Sequence, residues 1–269
     1  MAILEPIIGR YLKLGGTRIF FDEIGSGIPI VCIHTAGANS LQYREMLPLL
    51  AGKGFRAIAP DLPGHGRSYL VNDEPFRDMH PYAEFVWSFV QEVCEEKPVI
   101  TGSSLGGDLT LDLVANHSKN IRAAIAMEGV ARTPLFPDTS VAEQPAWYPG
   151  WQAGVEYGGV PSSLNRNASP ELLLEARYVH RNAQLVGAAD LQCWSKHNIK
   201  GKLGRVECPV LIIKGEEDFH IPLELAEETV QEIPGAELLV LKGIGHYPMM
   251  EDPPRVTEII VDFVKRRVK

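Results

Sequence analysis

The sequence predicts an α/β protein, with a mainly parallel sheet covered by helices on both faces. Three observations carry this reading. Six short apolar runs recur along the chain, most of them unbroken rather than alternating, as expected for strands buried on both sides. Stretches of helical length separate them, and strand–helix alternation selects parallel pairing. The chain also opens on a hairpin pattern, which adds antiparallel strands at one edge.

The elements follow in order. "RYLKLGGTRIFFDEIGSG" reads as the hairpin, with Gly15 and Gly16 at its turn. "IPIVCIH" is the first buried strand, and "FRAIAPD", "PVITGS", "IRAAIAME", "PVLIIKGEED" and "AELLVLKG" are the later ones. Helices are expected in "SLQYREMLPLLAGKG", "PYAEFVWSFVQEVCEE" and "LGGDLTLDLVANHS", the last with Leu105, Leu109 and Leu113 in register. The closing "PPRVTEIIVDFVKRRVK" starts on proline and sets Val256, Ile259, Ile260, Phe263 and Val264 on one face.

One interval breaks the rhythm. Between about Arg132 and Gly204 no run reads as a strand, and about seventy residues is far too long for a simple loop. In "SPELLLEARYVHRNAQLVG", Ser169 fits an N-cap, Pro170 the first helical position, and Gly187 a place near the end of the helix. The expected organisation is therefore a core from residues 1–131 and 205–269, interrupted by a helical cap over 132–204.

Bulk composition narrows the function classes. The 269 residues are 45% hydrophobic and 22% charged, ordinary for a globular enzyme. A net charge of -8 leaves no basic footprint for nucleic acid. No stretch approaches the roughly eighteen apolar residues of a membrane span, and no secretory signal is apparent. Cys32, Cys94, Cys193 and Cys208 lack paired spacing and read as reduced thiols of a cytosolic protein. No histidine or cysteine cluster has metal-ligand spacing, so no metal or other cofactor is expected.

Chemistry enters with "VITGSSLGGD". Glycines at 102 and 106 bracket Ser104 in the pattern G-x-S-x-G, whereas Ser103 has no glycine two residues before it. A serine on a sharp strand-to-helix turn projects from the sheet's carboxyl edge, near helix N–H groups that favour developing negative charge. Its hydroxyl needs a base, commonly an imidazole held by a carboxylate. Two later strand ends offer these partners, "GEEDFHIP" with Asp218 and "GIGHYPMMEDP" with His246.

These residues resemble the α/β-hydrolase superfamily over nearly the whole chain. Besides "GSSLGG", "DLPGHGRS" looks like its D-x-P-G-x-G-x-S loop, "GEED" like its acid loop and "GHYPMMEDP" like its histidine loop. The resemblance implies the triad Ser104, Asp218 and His246, choosing Asp218 over Glu216 and Glu217 through the family's G-x-x-D. Glu128, closing the strand in "AMEGVA", is the reserve acid, because some members take their acid from that strand. The family's oxyanion donors map to the N–H groups of Leu105 and Ala36. Here the chain departs from pattern, since His34-Thr35 stands where His-Gly is common. Thr35 either crowds the turn or helps to shape the hole.

The other polar candidates have plainer readings. His34 and His65 read as structural hydrogen-bonders, while His180 and His197 read as surface or interdomain groups. Trp147, Trp151 and Trp194 fall within the expected cap, where they fit a pocket roof or simple packing. The function implied is a serine hydrolase of small carboxylic esters or lactones. The alternatives are a carbon–carbon bond hydrolase of ring-cleavage products, or a slow ligand-binding receptor on the same fold. Nothing in the sequence indicates the oligomeric state.

Overall fold

The computed structural model describes residues 6–133, 159–182 and 186–268. Eight strands form one sheet: β1 (Ile8–Leu14), β2 (Thr17–Gly25), β3 (Ile28–Ile33), β4 (Phe55–Pro60), β5 (Val99–Ser103), β6 (Ala123–Met127), β7 (Val210–Gly215) and β8 (Glu237–Leu241). Their order is β1-β2-β4-β3-β5-β6-β7-β8. β1 and β2 pair antiparallel, as do β2 and β4, and every later pair is parallel. The hairpin turn uses Gly15 and Gly16 at φ +56° and +83°, angles that suit a two-residue turn and disfavour side chains.

Nine α-helices are described: α1 (Met46–Ala51), α2 (Met79–Val93), α3 (Leu105–His117), α4 (Val160–Ser163), α5 (Pro170–Val179), α6 (Gly187–Ser195), α7 (Leu223–Glu232), α8 (Pro248–Glu251) and α9 (Pro253–Arg267). Strand side chains alternate between two apolar layers, as the pleat requires. On one face Val31, Ile33, Ile100 and Ile212 meet Val86, Phe89 and Val90 of α2 and Leu109 and Leu113 of α3. On the other, Ile30, Cys32, Ile125 and Ile213 meet Leu47 and Leu50 of α1 and Val256, Ile260 and Phe263 of α9.

The segment between β6 and β7 contributes α4, α5 and α6, and its described residues contain no strand beyond one isolated bridge between Arg132 and Asn198. Ser169 caps α5, its side chain accepting from the Leu172 N–H at 3.1 Å. The expected stop at Gly187 is corrected. The helix ends at Val179, where His180 turns its ring back so that Nδ1 lies 2.7 Å from the Ala176 carbonyl oxygen, and Gly187 instead opens α6. No described helix is long and apolar enough to cross a membrane.

β3 lies between β4 and β5, so the chain leaves β3 and β5 toward opposite sides of the sheet. Ile33 pairs with Gly102 at their carboxyl ends, which sets the loops after both strands side by side. Such a switch point is where open α/β sheets bind ligands.

Candidate active site

The turn after β5 is built by close backbone approach. A Cβ on Gly102 would stand 2.2 Å from the Gly106 carbonyl oxygen, and one on Gly106 would stand 2.2 Å from that of Ile33. Only glycine fits at either position. Between them Ser104 takes φ 55° and ψ -118°, a rare conformation for a side-chain-bearing residue. Its N–H donates to the Met127 carbonyl at 2.9 Å, and its own carbonyl accepts from the Asp108 N–H, starting α3. Ser103, the last residue of β5, is fully buried and turns its hydroxyl toward the His246 carbonyl, 3.5 Å away. Of the two serines, Ser104 lines the cavity described below.

His246 sits in the loop between β8 and α8. Its N–H donates to the Ser163 carbonyl at 2.8 Å. Glu251 organises the same loop by accepting from the N–H groups of Gly245 and Tyr247 at 2.7 and 2.9 Å. The same carboxylate also accepts from the backbone and side chain of Asn165, which ties this loop to the chain between α4 and α5.

Asp218 follows β7. Its Oδ2 lies 3.1 Å from Nδ1 of His246, and neither atom has a well-aligned hydrogen-bond partner. Oδ1 accepts from the His220 N–H at 2.8 Å. Burial by itself would raise Asp218, but His246, the adjoining Glu128 carboxyl group and the Lys214 ammonium together hold it well below the usual carboxylate range. Asp218 is thus an anion facing the imidazole.

A cavity of about 180 Å³ joins these elements. From the core it is lined by Thr35, Ala36, Ser104 and His246, and from the β6–β7 segment by Val160, His180, Leu191 and Trp194. Ser104 and His246 therefore face one space. Thr35 resolves the departure at His34-Thr35: its N–H donates to Oε1 of Gln42 at 2.9 Å, and its Oγ1 accepts from Nε2 of Gln42 at 3.0 Å. The side chain is fastened to a neighbour rather than crowding the turn, and the Thr35 amide is used. Ala36 carries the next amide along this wall. Leu105 supplies the first N–H of α3, which has no carbonyl four residues back within the helix.

The remaining histidines divide. His34 and His65 are fully buried, their ring centroids 4.8 Å apart and the rings tilted by 58°. Nε2 of His34 accepts from the Leu62 N–H at 2.9 Å, and Nε2 of His65 lies 2.7 Å from Oδ2 of Asp190 on α6. Both serve structure, as expected. Of the surface or interdomain reading of His180 and His197, the surface half is corrected, since both are buried. Burial pushes each down to about 4, so both are neutral. His180 lines the cavity, as does His220, also pushed down to about 4 by burial and by His246. Nε2 of His220 lies 2.7 Å from Oγ of Ser163, whose hydroxyl donates to the Gly159 carbonyl, so the His220 proton sits on Nε2.

Trp194 reaches the cavity, whereas Trp147 and Trp151 lie outside the described residues. Glu128 stands beside Asp218 and His246, with ligand-type atoms of the three within 4.8 Å of one another. Such a trio could in principle hold a metal ion. Here the Lys214 ammonium, 3.5 Å from both carboxylates, already occupies the cationic position between them. Lys214, Gln42 and Glu251 were not singled out in the sequence. Only Lys214 left a signal, as a charge closing the apolar run "PVLIIK".

Comparison with known proteins agrees with this architecture. A model of the alpha/beta hydrolase family matches residues 30–259, and the chain belongs to that family. It is 26% identical to a 2-hydroxymuconate semialdehyde hydrolase of Pseudomonas sp. (strain CF600), over 97% of this chain and 95% of that protein. Its fold matches a thermophilic esterase from Thermogutta terrifontis with a TM-score of 0.85 at 22% identity, covering 97% of this chain and 100% of that one. An enol-lactonase from Burkholderia xenovorans LB400 matches with a TM-score of 0.83 at 20% identity, over 95% and 100% of the two chains. The protein is an α/β hydrolase.

Proposed function

We propose that the protein hydrolyses small carboxylic esters or lactones through Ser104, His246 and Asp218. The observation that carries this reading is the cavity shared by Ser104 and His246, with His246 backed by the Asp218 carboxylate at 3.1 Å. Ser104 attacks the substrate carbonyl as His246 takes its proton, and Asp218 orients the ring and stabilises the imidazolium. The N–H groups of Leu105 and Ala36 receive the oxyanion, a charge absent from the ground state, so their contribution is made in the transition state. His246 then protonates the leaving alcohol, and later draws a proton from the water that releases the acid from Ser104.

The helices described between residues 132 and 204 act in this reading as a cap over the cavity. A volume of about 180 Å³ lies below the ~300–1,000 Å³ of drug-sized ligand sites, which favours short acyl groups. Neutral His180 and His220 add no charge to that wall, so an uncharged acyl chain suits it.

The similarity to a 2-hydroxymuconate semialdehyde hydrolase favours a second reading, cleavage of a carbon–carbon bond next to a ketone. A substrate panel separates the two. Release of nitrophenol from acetyl and butyryl esters that saturates, and falls at least about a thousandfold in Ser104→Ala, supports the ester reading. Inert esters together with rapid loss of a dienol-ketone chromophore would replace it with carbon–carbon hydrolysis. If binding stabilises the protein but no product of either kind appears, the protein acts as a receptor.

A further inference from the structure

Two ionisable side chains beside this site have no part in the steps above. Glu128 follows β6 at φ 49°, a conformation disfavoured for a residue with a side chain, and its carboxyl group is fully enclosed. Its Oε1 accepts from the Gly215 N–H. Lys214, the penultimate residue of β7, is also buried. Its ammonium donates to the carbonyl oxygens of Gly215 and Asp218, the latter at 3.1 Å. It stands 3.5 Å from Oε2 of Glu128 and 3.5 Å from Oδ2 of Asp218.

Glu128, Asp218 and His246 bring ligand-type atoms within 4.8 Å of one another, and neither Oε2 of Glu128 nor Oδ2 of Asp218 has a hydrogen-bond donor of good geometry. Two carboxylates around one ammonium leave one negative charge in excess in an enclosed site. Like charges this close do not both ionise there, and one proton held between them removes the repulsion. The donors decide where the proton resides. Asp218 receives the His220 N–H at 2.8 Å and faces His246, while the carboxyl group of Glu128 has a single backbone donor. The anion is therefore better placed on Asp218.

We propose that Glu128 is a positioning residue that carries a proton: its carboxyl group donates a hydrogen bond to the Asp218 carboxylate, and Lys214 balances the remaining charge. His246 then faces one anchored anion rather than two that compete for it. The proposal rests on the reading of Ser104, His246 and Asp218 as a triad, and it removes Glu128 as a rival acid. Burial and the charge of Asp218 push Glu128 well above the usual carboxylate range, against the pull of Lys214 and the Gly215 N–H. Among the described residues, Asp218, Lys214 and His246 are the charged or titratable groups that face it, with His220 one ring further on, against His246.

Infrared spectroscopy at neutral pH, with carbon-13 placed in glutamate side chains, reads the proton without any turnover. Wild type is expected to show a neutral carboxylic acid band that moves with glutamate labelling and is lost in Glu128→Gln. Absence of a glutamate-sensitive acid band overturns the proposal. Kinetics give the second readout. Glu128→Met is expected to lower kcat about tenfold at similar KM, the worth of one hydrogen bond to a charged group. Glu128→Gln recovers most of that loss, because its amide both donates to Asp218 and accepts from Gly215. A gap between the Met and Gln variants supports a donor role; equal losses in both contradict it. If wild type turns over no ester, the ester reading fails on that result, and the infrared band alone decides where the proton is held.

Discussion

Thr35 and Gln42 hold each other through two hydrogen bonds, the Thr35 N–H to Oε1 of Gln42 at 2.9 Å and Nε2 of Gln42 to Oγ1 of Thr35 at 3.0 Å. Both residues are buried, so neither bond is exchanged for water. The clamp fixes the loop that carries the Ala36 amide. Replacing Gln42 by Leu leaves a buried N–H and hydroxyl without their partner, at a cost of about 1–3 kcal/mol. We expect urea unfolding to report that loss. With Ala36 an oxyanion donor, kcat falls more than KM rises; a change in stability without any change in kcat would remove the loop from catalysis.

The elbow around Ser104 has no tolerance for added volume. In Gly106→Ala the new methyl meets the carbonyl oxygens of Ile33 and His34 at 2.2 and 2.7 Å, both backbone atoms that cannot swing aside. The expected destabilisation is about 3 kcal/mol, the upper part of the usual overpacking range. The urea midpoint of the purified variant measures it, and a midpoint equal to wild type would show that the turn can open.

His65 and Asp190 join the loop after β4 to α6 with both side chains enclosed, and Asp190 also accepts from the Gly37 N–H at 3.0 Å. Burial alone would lower His65, but the Asp190 carboxylate outweighs it and raises the imidazole above its ordinary value. A raised folded-state value stabilises fully below the unfolded value of about 6.5, and the gain is lost as pH rises through the folded value. Asp190→Asn is therefore expected to cost more unfolding free energy near pH 6 than near pH 9. A cost independent of pH would mean that His65 stays neutral throughout.

Particular elements show how much the sequence could say. β3 to β8 were legible because each is a short apolar run bounded by turn residues, and Gly15-Gly16 marked the hairpin. Ser104, Asp218 and His246 were legible because each follows a strand, where parallel topology gathers loops at one edge. Gly187 misled, because a glycine past an apolar stretch fits a helix end as well as the start of the next helix, and the actual stop at His180 rests on its own ring contact. For His180 and His197 the surface and interdomain alternatives stayed open for a related reason: a lone polar residue gives no sign of which face becomes buried. Gln42 left no trace at all, since its partnership with Thr35 depends on how the loop after β3 folds. Lys214 closes a strand, where the sequence alone gives no sign of burial, and is buried because the Asp218 loop folds back over it.

The central claim is that Ser104 is the nucleophile and His246 its base, and covalent labelling tests it most directly. An aryl phosphonate ester presents a tetrahedral centre; attack by a serine oxygen forms an oxygen–phosphorus bond and expels the aryl oxide. We expect mass spectrometry to place the adduct on Ser104, with none formed in Ser104→Ala. His246→Ala should slow labelling by at least about a hundredfold, the usual worth of a general base. An adduct on Ser103, or labelling indifferent to His246, would contradict the account.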